Sequence, residues 1–371
     1  MKINQWTLGL AAAGVVSFGM VGHAEEAKEA VKTALSSTVL SGYVNTSIHY
    51  NLNQAAAPGY SYAGAKQNGF NLDVVNVTLE KALGEEAWAA GYKAELIYGA
   101  DAGAAPGGLG TGSPIKQAYV NLRIPVGNGI DTKLGVFDTI IGYETFNAGS
   151  NPNYTRSWGY TVEPTQHTGL LGTYRFCEWM SLSAGLANTT SAAINARPVN
   201  TGNISTMAAV TLTAPKSTGA LAGATLTAGY VGGRGAAPGV APSAYNVYVG
   251  ASVPLPVTGL SLGVSFDSRM SNAGKNTDDN VVGVYVAYQA TKKLTLNGRA
   301  EYADLNSGTA AVAAGTEVLG ATLTADYALW ANVITRLEYR LDHDLSGGKG
   351  VILGGARNNA QLLALNVIYK F

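Results

Sequence analysis

The sequence L-L-A-L-N-V-I-Y-K-F, residues 362–371, ends the chain on an alternating strand. Large apolar residues occupy every second position, namely Leu363, Leu365, Val367, Tyr369 and Phe371. The residues between them are smaller or more polar on average, so the two faces of this strand meet different surroundings. A sheet that closes on itself within lipid has this property, because one face contacts hydrocarbon and the other faces the interior. The stretch therefore predicts the last strand of a closed transmembrane β-barrel.

The start of the chain predicts a secretory signal peptide. Lys2 precedes an apolar stretch over residues 6–21, and small residues follow before the charged run that begins at Glu25. The apolar stretch is shorter than the roughly 20 residues that a membrane-crossing helix needs, so we expect cleavage after Ala24. The expected organisation is a signal peptide over residues 1–24, a short periplasmic lead-in over residues 25–37 and a barrel over residues 38–371.

The composition supports export and a lipid-facing surface. Only 13% of the residues are charged, against about 25% in ordinary soluble domains. A secreted chain with little charge and no long apolar run fits a barrel, because a barrel spreads its apolar residues over alternate strand positions. The 24 Lys and Arg residues balance the 24 Asp and Glu residues. This balance argues against nucleic acid as a partner, since such proteins carry a basic surplus.

Alternation bounded by Gly, Pro, Asn and Asp predicts sixteen antiparallel strands. They are expected at residues 38–52, 70–82, 87–100, 115–125, 129–140, 166–176, 179–188, 204–213, 223–233, 245–254, 259–270, 279–290, 293–304, 316–328, 331–342 and 359–371. The connections are mostly short after even-numbered strands and long after odd-numbered ones, although connection 214–222 is longer than its fellows. Short turns on the periplasmic side and long loops outside are typical of outer-membrane barrels. The predicted fold is therefore all-β, a closed antiparallel transmembrane barrel of about sixteen strands.

Charged residues fall on one face of these strands. An Arg or Lys on the lipid face near the bilayer midplane costs roughly 2–4 kcal/mol, so these charges are expected on the inner wall. A barrel of this size leaves a water-filled interior. The predicted pore-lining residues are Lys93, Glu95, Arg123, Lys133, Arg175, Asp267, Arg269, Arg299, Glu301, Arg336, Glu338 and Arg340.

Several motifs between residues 115 and 188 occur in a fairly specific combination. They read I-K-Q-A-Y-V-N-L at 115–122, K-L-G-V-F-D-T-I-I-G-Y-E at 133–144, N-P-N-Y-T-R-S at 151–157, E-P-T-Q-H-T-G at 163–169 and W-M-S-L-S-A-G-L-A-N at 179–188. Together with S-G-Y-V-N-T-S-I-H-Y-N at 41–51, this region resembles the beta-barrel porin-2 family of OmpL-like porins. The resemblance implies an outer-membrane channel and names no substrate. The second half of the chain matches the family by architecture only.

The loop at residues 141–165 is the longest connection and follows the fifth strand. It carries Glu144, Arg156 and Glu163 among several aromatic residues, which gives it enough apolar area to become ordered. In porins generally, the loop at this place folds into the barrel and narrows it. We expect Glu144 and Glu163 to face Lys93, Arg123 and Lys133 across this constriction and to set up a transverse field. The alternatives are an ordinary surface loop and a loop that contacts another subunit.

Outer-membrane barrels can also be hydrolytic enzymes, so the residues for such a site matter. Asp342, His343 and Asp344 follow one another at a strand end, but neighbouring strand residues point to opposite sides. A nucleophile elbow and a cluster with zinc spacing are missing from the sequence. No catalytic residue, metal site or cofactor is predicted.

The leading hypothesis is an outer-membrane porin of a diderm bacterium, that is, a water-filled passive diffusion channel for small hydrophilic solutes or ions. The alternative is a structural or adhesive barrel with a plugged lumen. The expected partners are outer-membrane lipid, the diffusing solutes and the barrel assembly machinery, which would bind the strand that ends in Phe371. A homotrimer is expected by analogy with other porins. The solute and the preference for cations or anions do not follow from the sequence.

Overall fold

Sixteen antiparallel strands form a closed barrel in the computed structural model. The structure describes residues 37–52, 66, 68–104, 115–197, 204–234, 243–271, 278–307, 314–346 and 358–371. The predicted signal peptide 1–24 and nearly all of the lead-in 25–37 lie outside these residues. The strands are β1 Thr38–Asn51, β2 Gly69–Lys81, β3 Ala90–Tyr98, β4 Ile115–Ile124, β5 Ile130–Asp138, β6 Gln166–Cys177, β7 Met180–Ala187, β8 Ser205–Thr213, β9 Thr225–Arg234, β10 Ser243–Pro254, β11 Leu260–Ser271, β12 Asp279–Gln289, β13 Leu294–Leu305, β14 Thr316–Trp330, β15 Val333–Asp344 and β16 Asn359–Lys370.

The barrel closes where the first strand meets the last. β1 pairs with β16 in antiparallel register, from Tyr43 opposite Lys370 to Asn51 opposite Leu362. Every other neighbouring pair follows chain order. A closed ring has no free strand edge, so all strand amides and carbonyls can be paired within the sheet. The predicted all-β closed barrel of about sixteen strands is confirmed.

The two faces of the strands separate as the alternation predicts. On β16, Leu363, Leu365 and Tyr369 are exposed on the outer surface, whereas Leu362 and Ala364 between them are buried. The aromatic residues Trp88, Phe176, Trp179, Trp330 and Phe371 are exposed near the ends of strands or in short turns. Aromatic side chains favour the border between hydrocarbon and headgroups, so they mark this border on the barrel.

Short and long connections lie at opposite ends of the barrel. The chain enters and leaves at the end with the short turns, which include residues 125–129, 178–179 and 331–332. The longer connections join β1 to β2, β3 to β4, β5 to β6 and β7 to β8 at the other end. The connection between β8 and β9 is longer than the other turns, as the sequence indicates, and contains a 3₁₀ turn at Lys216–Leu221.

A few strand ends differ from their predicted positions for local reasons. β3 begins at Ala90 and not at residue 87, because Trp88 has a φ of 62°, which is outside the extended region. β14 continues to Trp330 through an irregular pairing after Ala328, so the following turn is residues 331–332 and not 329–330. Differences of this size are expected when strand ends are read from alternation alone.

Two short helices complete the described elements, α1 at Ala100–Ala104 and α2 at Trp158–Val162. In the described part of the chain, the helices are too short or too polar to cross a membrane. Helix α2 belongs to the connection between β5 and β6. Its side chains Trp158 and Val162 pack in a buried cluster with Leu305 of β13 and Leu362 of β16. This contact places the connection against the inner wall.

Candidate functional site

Residues 139–165, here called the inner loop, connect β5 to β6 and cross the interior of the barrel. Glu144 lies six residues beyond the end of β5, yet its Oε1 is 2.7 Å from Nη1 of Arg299 on β13. In the closed order of sixteen strands, β5 and β13 are eight positions apart and therefore on opposite walls. The loop thus reaches from one wall to the wall across from it.

Arg299 holds the loop through several contacts at once. Besides Glu144, its Nε lies 2.7 Å from Glu301 Oε2, and its Nη1 donates to the carbonyl oxygen of Thr155 at 2.8 Å. Nη2 reaches the Thr322 hydroxyl at 3.1 Å. The side chains of Arg299 and Glu144 have 0% exposure. A buried ion pair stabilises a structure only when its remaining donors and acceptors are satisfied. Both Nη atoms of Arg299 have hydrogen-bond partners, whereas Nε lies beside Glu301 without a hydrogen bond.

Carboxylates of the barrel wall accept hydrogen bonds from backbone amides of the loop. The Glu338 carboxylate accepts hydrogen bonds from the amides of Tyr154 at 2.5 Å and Thr155 at 2.9 Å. Glu301 Oε1 accepts from the amide of Trp158 at 2.6 Å. These bonds are charge-assisted and short, so each fixes the loop backbone more firmly than a neutral bond does.

The short helix α2 begins at a capped turn. Ser157 accepts from the amide of Tyr160 at 3.0 Å through its hydroxyl, and its own amide donates to Glu144 Oε2 at 2.7 Å. The indole of Trp158 is fully buried, and its Nε1 donates to Asp342 Oδ1 at 2.7 Å. The next residue, Gly159, has no room for a side chain, because a Cβ at this position would lie 2.5 Å from Asp267 Oδ2.

Another part of the loop rests on β15 and β16. Arg336 donates to the carbonyl oxygens of Ala148 at 2.7 Å and Asn151 at 2.9 Å while its Nε pairs with Asp326 at 2.7 Å. Nζ of Lys370, the residue before the chain ends, donates to the carbonyl oxygen of Gly149 at 3.2 Å. The loop therefore follows this wall towards the end of the barrel where the chain terminates.

Arg156 stabilises the loop from within. Its guanidinium donates to the carbonyl oxygens of Thr145 at 2.7 Å, Phe146 at 2.7 Å and Tyr154 at 2.9 Å. The residue is 3% exposed. Three carbonyls on one guanidinium close the loop on itself, so Arg156 serves its folding and is not in contact with the open lumen.

The last acidic residue of the loop sits beside an acidic residue of the wall. Glu163 is buried and interacts with Asp267 of β11. Burial, followed by the nearby charges of Asp267 and Glu144, raises the pKa of Glu163 well above its usual value. Gly142, at the start of the loop, packs closely against Glu163, because a Cβ on Gly142 would lie 2.1 Å from Glu163 Oε2. Gly142 also has a φ of 108°, which favours glycine. A protonated Glu163 fits this site better than a carboxylate.

A different group of charged residues lies on the walls that the inner loop leaves open. Lys93 on β3, Arg123 on β4, Lys133 on β5 and Arg175 on β6 are partly exposed. Lys93 Nζ lies 3.5 Å from Glu95 Oε2, and Arg123 Nη1 lies 3.1 Å from Asp131 Oδ1. These side chains are on the inner face, opposite apolar neighbours such as Leu122, Leu134 and Leu170 that are exposed outside.

The structure changes the prediction for seven of the proposed pore-lining residues. They lie on the inner face, but they are covered and their exposure does not exceed 5%. For most of them the cover is the inner loop, whereas Glu95 is held by Asn76 at 2.7 Å and Gln117 at 2.6 Å. The seven are Glu95, Asp267, Arg299, Glu301, Arg336, Glu338 and Arg340. Arg269 differs from them, since it is partly exposed and pairs with Asp279 at 2.5 Å.

The expected charge pattern across the constriction is also wrong. Glu144 was expected to face Lys93, Arg123 and Lys133, but it is buried against Arg299 on the opposite wall. Glu163 faces Asp267, and its surroundings raise its pKa, as described above. Neither acidic group of the loop supplies an exposed negative charge, because the loop docks through these side chains.

Lys116 is an interior residue that the alternation pattern missed. The pattern points Gln117 inward and therefore Lys116 outward, yet both are buried. The pairing of β3 with β4 is irregular between Glu95 and Leu96, which breaks the alternation at this level. Lys116 pairs with Asp138, and its Nζ lies 5.4 Å from the centre of the Phe146 ring. A lysine that strict alternation points towards lipid was the sign in the sequence of an irregular pairing.

A second missed group ties the loop to β1 and β2. Lys66 Nζ lies 3.0 Å from Asp73 Oδ1 and 2.5 Å from Asp101 Oδ1, and all three side chains are buried. The hydroxyl of Tyr154, from the inner loop, bonds to His49 Nε2 at 2.5 Å and to Ser47 Oγ at 3.0 Å. Burial raises the pKa of Asp101 to about 6, although Lys66 lowers it in part.

The side chains of the candidate hydrolytic residues Asp342 and His343 are separated. Asp342 is buried and bonds inward to Trp158 and to Arg340, whereas His343 Nδ1 bonds to Asn359 Oδ1 at 2.8 Å on the neighbouring strand. The two side chains therefore do not form a pair. Within the described residues, no group of three or more His, Cys, Asp or Glu residues could hold a metal ion.

Comparison with protein families identifies the chain. The family model for beta-barrel porin-2, OmpL-like, matches residues 37–371. The chain belongs to this family of outer-membrane porins. The match spans the whole barrel and includes the second half, which the sequence motifs left open. No curated protein matches this porin by sequence.

Solved structures share the fold of this porin at low sequence identity. An anion-selective porin from Comamonas acidovorans is 13% identical with a TM-score of 0.63, and the match covers 90% of this chain and 99% of that chain. The outer-membrane channel DcaP of Acinetobacter baumannii is 13% identical with a TM-score of 0.60, covering 92% and 99%. OmpT of Vibrio cholerae, in a trimer form, is 13% identical with a TM-score of 0.58, covering 90% and 99%.

Proposed function

We propose that this porin is a water-filled passive diffusion channel for small hydrophilic solutes or ions, narrowed by the inner loop, and that it has no enzymatic activity. The observation that carries the proposal is the contact between Glu144 and Arg299, which brings the loop across the lumen. Solutes then pass between the loop and the walls that it leaves open, which carry Lys93, Arg123, Lys133 and Arg175. Passage needs no energy source and no conformational cycle, because the loop is fixed by many buried hydrogen bonds.

Purified protein, refolded in detergent and added to a planar bilayer, tests this proposal. Stepwise currents that rise linearly with voltage are expected. Heat-dependent migration on a gel serves as the folding control, since closed barrels resist detergent until they are boiled. A bilayer that stays silent after insertion of correctly folded protein contradicts the proposal.

A barrel with a plugged lumen is the second candidate. The observation in its favour is the burial of most of the inner loop, including Tyr154, Trp158 and Tyr160. Deletion of residues 146–160 separates the two candidates. A plugged barrel changes from almost no current to a large one, whereas a narrowed channel already conducts and gains conductance on deletion.

The proposed assembly is a homotrimer. The support is the trimer form of the Vibrio cholerae relative and the shared barrel fold. The strand that ends in Phe371 is proposed to bind the barrel assembly machinery. Sedimentation in detergent tests the trimer, and loss of insertion into membranes after removal of Phe371 tests the second proposal.

A further inference from the structure

The inner loop presents no exposed charge to the lumen. Its three charged residues, Glu144, Arg156 and Glu163, are 5%, 3% and 7% exposed. The residues of the loop that remain at least partly exposed are uncharged, namely Thr145, Asn147, Ser150, Pro152 and Thr161. Ions that pass the loop therefore meet charge mainly from the opposite wall.

That wall carries a surplus of positive charge over three neighbouring strands. Arg123 on β4, Lys133 on β5 and Arg175 on β6, here called the basic strip, are partly exposed on the inner face. The same strands hold two carboxylates, namely Asp131, which lies 3.1 Å from Arg123, and Asp138, which pairs with the buried Lys116 of β4. With the Lys116–Asp138 pair set aside, three positive charges and one negative charge leave an excess of two. The next strands do not offset it, because the sequences of β7 and β8 contain no charged residue.

The strand register orders the strip along the barrel wall. Lys133 pairs with Asn121 and Leu171, so its cross-strand partners are uncharged. Its Nζ lies 5.0 Å from the centre of the Tyr119 ring. Leu171 is the residue of β6 that lies opposite Lys133. Arg175 lies four residues beyond Leu171, which is about 13 Å along the strand. The strip therefore extends in the direction in which solutes travel.

The other interior cations add little to this surplus. Lys93 faces Glu80 in the register with β2 and lies 3.5 Å from Glu95. Lys116 is buried and paired with Asp138. The arginines of β13 and β15 are neutralised by carboxylates beneath the loop. Asp138 on its own strand and Glu80 on β2 are the carboxylates that act on Lys133, and neither is its cross-strand partner.

We infer that this channel prefers small anions to cations and that the basic strip sets the preference. The inference rests on the proposed function as a diffusion channel. Charges on the wall of a pore set its local potential and so favour ions of the opposite sign. Here the loop carries no exposed carboxylate that would balance the strip, so the local potential is positive and raises the concentration of anions.

Reversal potentials in a potassium chloride gradient test this inference. The wild-type channel is expected to pass chloride more readily than potassium. Lys133→Glu lowers the chloride-to-potassium permeability ratio by about tenfold, and Lys133→Met by about threefold. Both effects shrink at high salt, because ions screen exposed charges. Arg175→Glu lowers the ratio in the same direction.

The matched control is Lys292→Glu, which makes the same charge change in the exposed turn between β12 and β13. It leaves the permeability ratio unchanged. Lys133→Met keeps the length of the side chain, so it supplies the test if Lys133→Glu does not fold. A conducting wild-type channel that prefers potassium, or a ratio that both Lys133 variants leave unchanged, overturns the inference while the proposed diffusion function stands. A silent wild-type channel overturns the proposed function itself.

Discussion

The inner wall of the barrel has two regions whose charges behave differently. Beneath the inner loop, on β13 to β15, Arg299, Arg336 and Arg340 are buried and each lies 2.7 Å from a carboxylate. On β4 to β6, Arg123 and Lys133 are partly exposed. The alternation that points a residue inward is the same in both regions. The regions differ in whether the inner loop covers them. The course of this one loop therefore decides which charges stabilise the fold and which face diffusing ions.

Replacement of Arg299 by Met is expected to produce the largest effect, because Glu144 and Glu301 then lose their buried partner. Removal of one member of a buried ionic group costs about 3–5 kcal/mol. We expect the loop to detach, with a lower thermal midpoint in detergent and larger, noisier single-channel currents. The matched control is Arg175→Met in the open region, which is expected to keep the thermal midpoint near that of the wild type. Equal loss in both variants contradicts the division into two regions.

Glu163→Gln is expected to have an intermediate and pH-dependent effect. The folded protein raises the pKa of Glu163, so the stability that this group contributes is complete below its usual pKa and is lost as the pH rises through the raised value. Each unit of this difference corresponds to about 1.4 kcal/mol. Glutamine resembles the protonated acid and carries no titratable proton.

Thermal midpoints between about pH 4 and about pH 9 measure this effect. The wild-type midpoint falls towards high pH, whereas the Glu163→Gln midpoint falls less and lies above that of the wild type at the upper end. Parallel curves for the two proteins are inconsistent with a proton held between Glu163 and Asp267.

Arg123→Gln is expected to change stability least. Its ion pair with Asp131 is partly exposed, with 21% exposure of each side chain, and such pairs contribute about 0–1 kcal/mol. The thermal midpoint therefore stays close to that of the wild type. A large loss of stability in this variant shows that the open region contributes to the fold as much as the covered one.

The sequence predicted the strands well because each alternates between lipid and interior over its own length. It also placed charges such as Arg299 and Arg336 on the inner face for the same local reason. It could not predict that Glu144 binds Arg299, since the two residues are 155 positions apart and their contact depends on how the loop folds. The alternation pattern does not predict that Lys116 is buried, because an irregular pairing between β3 and β4 breaks the alternation at this level.

The accessibility of two introduced cysteines tests the division of the wall most directly. In a Cys177→Ser background, Lys133→Cys lies in the open region and Thr322→Cys lies beneath the loop, where Thr322 is 1% exposed. A water-soluble, negatively charged thiol reagent is added to channels in a bilayer, and its rate of reaction is followed by the change in current. Fast modification is expected at position 133 and almost none at position 322. Equal rates at the two positions would contradict this expectation.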